Sequence, residues 1–299
     1  MHLLLFFYEV FLALWLAVAP PVPPPLPPYQ YYCNLTEYPS MLLEQRSPWP
    51  QDNLAAAALK LLSLVQHTSY AHVSQIDPAT GTFMTDCSCV VSYLLVNSGL
   101  GQHFADVPKE KHDTAVQPPM PRAKEYAQFL ESLKKHGRGG RDGDGARWTA
   151  VQSIWALQPG DLVAWVIPDW KAEGKSTGHV LVVVDPPPPA RAGGRNTTLI
   201  PADETSVWVS VLDSSSIAHQ WDSRCDAADS SGKKPCAFGV GHSFIRLLGD
   251  AMGEPKAFQF RDGAAVRAYP LSLARVIGEP SWDYDIVDRS TLVVQKSSR

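Results

Sequence analysis

The segment Thr85-Asp86-Cys87-Ser88-Cys89-Val90 places a thiol where a polar stretch runs into an apolar helical repeat. A cysteine in the first turn of a helix faces backbone N–H groups that have no intrahelical partner, and it sits at the positive end of the helix dipole; both favour the thiolate. Cys87 is therefore a candidate nucleophile. Such a nucleophile needs a base to take its proton and a group to orient that base. Among nine histidines, His179 stands out because it opens the apolar run His179-Val-Leu-Val-Val-Val184 directly after Ser176-Thr177-Gly178. Asp213 closes the next apolar run, Val207 to Leu212. If the two runs pair as neighbouring strands, His179 and Asp213 meet across the ladder, and the carboxylate fixes the imidazole tautomer and stabilises its charged form. The bland alternatives are a core or disulfide cysteine, a hydrogen-bonded strand-edge histidine and a turn-capping aspartate. Asp86 reads as a helix cap, whose charge opposes a thiolate unless it is spent on backbone amides. A metal role is disfavoured, because one residue between Cys87 and Cys89 is tighter than the usual ligand gap and no histidine pair complements it; no cofactor is implied.

These residues need elements to hold them. Leu54, Ala57, Ala58, Leu61, Leu62 and Val65 recur at helical spacing, with Asp52 or Asn53 as cap and an end near Thr68. A polar loop is expected from there to Asp86. The helix carrying Val90, Val91, Leu94 and Leu95 follows and stops at Asn97-Ser98-Gly99. Pro121 opens a third helix through Ala123, Tyr126, Ala127, Leu130 and Leu133, and Gly137 to Gly145 reads as a surface loop. Beyond Leu157 the texture turns strand-like: Asp161–Ile167, His179–Val184 and Val207–Leu212, with shorter candidates at Ser243–Leu248, Ala257–Phe260 and Val266–Tyr269. Pro186 to Asn196 bulges out between the second and third. Helices first and strands afterwards predict an α+β fold, N-terminal helices packed on a mainly antiparallel β-sheet.

Composition narrows the class. The 299 residues carry a net charge of −4 and no basic block, which argues against nucleic acid as a partner. Leu3 to Ala19 is apolar apart from Glu9 and ends in Ala17-Val18-Ala19, the pattern of a secretory signal; a retained membrane anchor is the alternative, and would give membrane association. Pro20 to Pro28 reads as a polyproline spacer. The five cysteines suggest one working thiol plus pairs. With Cys87 free, the other four allow three connectivities, and Cys225 with Cys236 is the easiest local pair, worth about 2–3 kcal/mol. Four reduced cysteines are the alternative. His219, Asp222 and Arg224, next to that pair, offer themselves as cleft-lining residues, or as a solvated loop.

Taken in order, Thr68-Ser69-Tyr70, Asp86-Cys87-Ser88-Cys89-Val90, Pro159-Gly160-Asp161-Leu162, Gly178-His179-Val180 and Leu212-Asp213-Ser214 resemble the motifs of the NlpC-type papain-like cysteine peptidases. The resemblance runs from about Asp52 to Ser216. It implies Cys87 as nucleophile, His179 as general base and acid, Asp213 as orienting residue, and the Cys87 backbone N–H with the Tyr70 hydroxyl as oxyanion donors. It also implies a papain-like domain over 48–290 with insertions at 101–150 and 186–206, following a signal or anchor (1–19) and a Pro-rich extension (20–47) and preceding a tail (291–299). Cys89 stands where the family has glycine, and His72-Val73-Ser74 where it commonly has Trp-Gly-Gly. The expected activity is an exported, bacterial, secreted or cell-envelope thiol hydrolase that cleaves an amide bond in a cell-wall (peptidoglycan) peptide through a thioester. An acyltransferase or lipid-amide hydrolase on the same fold, and an inactive binding module, remain open.

Overall fold

The computed structural model describes residues 32–33, 47–109, 120–136, 138–139, 146–168, 176–185, 199–203, 205–225 and 236–278. The expected signal or anchor, most of the Pro-rich extension, the Gly137–Gly145 loop, the Pro186–Asn196 bulge and the C-terminal tail lie largely or wholly outside these. Among the described residues no helix is long and apolar enough to cross a membrane.

The first helix, α1, is Pro50–Leu64, and it buries Leu54, Ala57, Ala58 and Leu61, a spacing that puts all four on one face. It starts earlier than expected. Trp49 is the cap and Pro50 the first residue, where the missing N–H of proline costs nothing. Asn53 does not cap the helix. It is buried and clamps Ser47, accepting from its N–H and donating to its carbonyl, both at 2.8 Å.

The polar stretch that follows is not a loop. Strand β1 (Tyr32–Cys33), β2 (His67–Tyr70), β3 (Val73–Asp77) and β4 (Thr82–Thr85) form a small sheet in the order β1-β3-β4-β2. The period-two pattern is present, with Ser74 and Ile76 inward on β3 and Phe83 and Thr85 inward on β4. It is hidden because half of the inward positions are Ser or Thr, paired by Ser74 Oγ donating to Thr85 Oγ1 at 3.1 Å. Helix α2 (Cys87–Asn97) then follows with all of its residues buried, succeeded by α3 (Gly101–Asp106) and α4 (Ala123–His136).

The remaining strands form one sheet: β5 (Arg138–Gly139), β6 (Trp148–Ala150), β7 (Leu162–Val166), β8 (Gly178–Val183), β9 (Leu199–Asp203), β10 (Ser206–Ser215), β11 (Gly239–Gly249), β12 (Pro255–Gln259) and β13 (Leu271–Val276). The order is β12-β11-β10-β8-β7-β13-β6-β5, with β9 also on β10, and every pair is antiparallel. The mixed α+β class and the mainly antiparallel sheet agree with the sequence reading. Two details do not. Val266–Tyr269 forms only a bridge from Arg267 to Phe258, and the last strand is instead β13, beyond Pro270. β9 also went unread.

Both faces of the sheet are covered. Val180 and Val182 of β8 join a core with Leu54, Leu61, Val90, Leu94 and Leu130 from the helices, whereas Leu181 and Val183 join a second core with Val209, Val211, Ile245 and Phe258. That two-sided burial is why these strands read as unbroken apolar runs. The Gly160-Asp161 pair that precedes β7 also gains a physical reason. Gly160 has φ +89°, and a Cβ there would lie 2.0 Å from the Gln51 carbonyl oxygen, so only glycine lets the strand start pass α1. Asp161, fully buried, accepts from Arg275 Nε and Nη2, each at 2.8 Å, and so ties β7 to β13. Gly160→Ala should destabilise the chain by roughly 3 kcal/mol or more, seen as a lower urea midpoint at unchanged slope; an unaltered midpoint would refute this account.

Candidate active site

Cys87 is the first residue of α2, and its neighbour Asp86 is the cap. Asp86 Oδ1 accepts from the Cys89 N–H at 2.8 Å and from Ser88 Oγ at 2.9 Å. The carboxylate next to the thiol is thereby spent on the helix end, as the capping preference of aspartate predicts. Among the described residues Cys87 is the free cysteine, and it is buried. Cys89 is disulfide-bonded and serves as a covalent anchor for the same helix turn. Cys225 and Cys236 form the expected local disulfide.

The strand register brings the next two residues together. Antiparallel pairing of β8 with β10 sets Val211 beside Val183 and Leu212 beside Val182. Asp213 is the next residue along β10 and shares a sheet face with Val211, while His179 shares that face with Leu181 and Val183 on β8, so both project to the same side near the end of the paired segment. The contact forms: His179 Nε2 is 2.6 Å from Asp213 Oδ2. His179 also hydrogen-bonds the Cys87 side chain. With Nε2 committed to Asp213, Nδ1 is the ring nitrogen left for the thiol. Trp165 covers the imidazole, with ring centroids 5.0 Å apart.

Burial alone would pull His179 down, but the Cys87 charge, the Asp213 hydrogen bond and the Cys87 hydrogen bond outweigh it and push its pKa up to about 10. Burial would likewise push Asp213 up. The charges of His219 (when protonated) and Arg224, together with the His179 hydrogen bond, instead hold it well below the usual carboxylate range. His219 itself is pulled down to about 4, chiefly by burial, so near neutrality Arg224 is the permanent cation behind Asp213.

Tyr70 ends β2 in register with Thr85, two residues before Cys87, and its ring meets that of His72 edge-on at 5.4 Å. His72 Nδ1 lies 3.6 Å from Asp86 Oδ2. His219, Asp222 and Arg224 do not form a solvated loop. They are 4%, 6% and 8% exposed and bond to one another behind Asp213. The Arg224 guanidinium turns inward against the buried Asp213 carboxylate, and Asp222 turns in with it to pair with the guanidinium. A cavity of about 540 Å³ flanks the outer side of Arg224, between Leu62, Val65, Thr68, Ser223 and Val240, and neither Cys87 nor His179 borders it.

The sequence reading missed His242 and Ser243 of β11. His242 Nε2 is 2.8 Å from Ser210 Oγ, and Ser243 Oγ is 3.0 Å from His219 Nδ1. A His-Ser pair inside an otherwise apolar strand was the available signal. His103 meets the Ile277 carbonyl at 2.9 Å. Among the described residues no group of three or more His, Cys, Asp or Glu side chains is arranged to hold a metal ion. Comparison of the chain with family models, with curated proteins and with solved structures returns no match.

Two pH effects follow, with opposite signs. His219 and His242 are both held down at about 4, chiefly by burial. Between about pH 6.5 and 4 the unfolded chain binds protons that the folded one does not, so acidification should remove on the order of 3 kcal/mol for each. His179, held up, contributes stability that is complete below about pH 6.5 and is lost towards pH 10. Imidazole NMR should therefore find His179 still protonated near pH 8 and His219 neutral near pH 6; the reverse order would contradict the assignment.

Proposed function

We propose that this chain is a thiol amidase of the NlpC-type papain-like class, acting outside the cytoplasm on an amide bond of a cell-wall peptide. The observation that carries the reading is the free cysteine at the start of a helix, hydrogen-bonded to a histidine whose other nitrogen is held by a buried carboxylate at 2.6 Å. That sequence of nucleophile, base and orienting group is what acyl transfer through a thioester requires. The order of motifs along the chain and the α+β architecture support the class.

In this reading the Cys87 thiolate attacks the amide carbonyl carbon. The oxyanion is met by the Cys87 backbone N–H, one of the unpaired donors of the helix start, with the Tyr70 hydroxyl as second donor. As the C–N bond breaks, the His179 imidazolium gives its proton to the leaving amine, and the acyl group stays on Sγ. Neutral His179 then takes a proton from water, which attacks the thioester. The C–S bond breaks and the thiolate and imidazolium return with the acid released. Asp213 stays ionised and holds Nε2 throughout.

An iodoacetamide-type probe should label Cys87 at about pH 6 much faster than in the denatured chain; equal rates would sink the activated thiolate. Wild-type protein should release amines from muropeptides, and Cys87→Ala should abolish this. Release from acyl lipids alone would assign the site to lipid-amide chemistry. No turnover of either substrate with a reactive thiol present would identify a binding module.

A further inference from the structure

We propose that Arg224 is a positioning residue that fixes Asp213 as a carboxylate against His179, and that the Cys225–Cys236 disulfide is the latch that holds Arg224 in place. The inference rests on the triad reading above and adds to it a dependence on the oxidised loop.

All three guanidinium nitrogens are committed inside the protein. Nε donates to Asp222 Oδ1 at 2.7 Å, and Nη2 donates to Asp222 Oδ2 at 2.8 Å and to His219 Nδ1 at 3.0 Å. Nη1 donates to the Gly239 carbonyl at 2.7 Å and lies 3.1 Å from Asp213 Oδ1, an ion contact whose angle is poor for a hydrogen bond. Asp213 Oδ2 is thus taken by His179 while Oδ1 faces Arg224. The fork geometry matters, since a lysine ammonium offers the charge without the simultaneous reach to Asp222, His219 and Gly239.

The guanidinium can lie there only because the backbone on either side of it is closed. Arg224 immediately precedes Cys225, and its carbonyl accepts from the Ala237 N–H at 2.8 Å, one residue past Cys236. Its N–H and the Cys225 N–H both turn back to Asp222, onto Oδ1 and the main-chain carbonyl. Its side-chain stem crosses Gly241, the β11 partner of Asp213, where a Cβ would fall 2.6 Å from Arg224 Cγ. The segment also holds Trp221 at φ +48°, a conformation that a bulky residue keeps only when its surroundings impose it; Trp221 packs against Trp208 and Phe244. The disulfide is the covalent cross-link beside this hydrogen bond, and without it the Arg224 and Ala237 ends are covalently tethered only through the twelve residues between them.

The ionisable groups around Asp213 are His179 and, through it, Cys87; His219, Asp222 and Arg224 from the loop; and His242 from β11. With His219 and His242 neutral near pH 7, Arg224 is the cation on the far side of the carboxylate. Arg224→Gln should let Asp213 take up a proton at higher pH, moving the acid limb of Cys87 alkylation up by about 1–3 pH units and releasing His179 from its single tautomer. Arg224→Lys should fall between. Cys225→Ser/Cys236→Ser should reproduce the Gln phenotype with Arg224 intact. The double serine variant is preferred to a reductant because Cys89 is also disulfide-bonded.

The decisive measurement pairs two readouts on folded wild type, Arg224→Lys, Arg224→Gln and the double serine variant: the pH profile of Cys87 alkylation, and the ¹⁵N imidazole signals of His179. Upward-shifted acid limbs with altered His179 signals in all three variants support the latch. Wild-type signals and profiles in folded Arg224→Gln overturn the positioning role, and the same result in the double serine variant overturns the latch. If wild-type Cys87 proves no more reactive than a denatured thiol, the amidase reading fails, and the latch is judged on the His179 signals alone.

Discussion

A carboxylate with no exposed surface, Asp213, sets the terms for everything near the site. An isolated buried anion is costly, and it persists only where cations and donors surround it. Here His179 approaches from β8, Arg224 from the loop after β10, and His219 stands behind them. Near neutrality the two cations are His179 and Arg224, and removing either leaves the carboxylate with one charged partner in place of two. The two-sided sheet sets this requirement, since β10 lies between β11 and β8 with cores on both faces and its one aspartate is fully buried.

Behind Cys87 the charges alternate in sign: the His179 imidazolium, Asp213, Arg224 and Asp222. Each member lowers the cost of its neighbour's burial, so the His179–Asp213 pair is supported by Arg224 and, through it, by Asp222. His72 and Tyr70 stand at the other flank, beside Asp86 and Thr85. The cap formed by Asp86 keeps that nearby negative charge directed at helix amides and the Ser88 hydroxyl.

Much of this was legible in the sequence where local chemistry decides it. Cys87 at a helix start, His179 at a strand start and Asp213 at a strand end each carry a local signal, and the structure brings the three together. The small sheet was not legible, because Ser74 and Thr85 occupy inward positions that an apolar pattern would have marked. The inward turn of Asp222 and Arg224 was not legible either. Charged residues in a polar loop ordinarily face water, and what draws Arg224 inside is the Asp213 carboxylate together with the missing side chain of Gly241, with Asp222 following to pair with the guanidinium. The last strand, Leu271–Val276, lies in a segment too short and too mixed to announce itself, and it is fixed by Arg275 reaching Asp161 across more than a hundred residues.

Helix α2 is buried along its whole length. Its amide protons therefore have no low-energy local opening through which to exchange, and should report the stability of the entire domain. Cys87 lies at the start of that helix. Heat or denaturant should then disperse the Cys87–His179 contact and the fold in a single cooperative step, without a partly melted state that keeps one and loses the other.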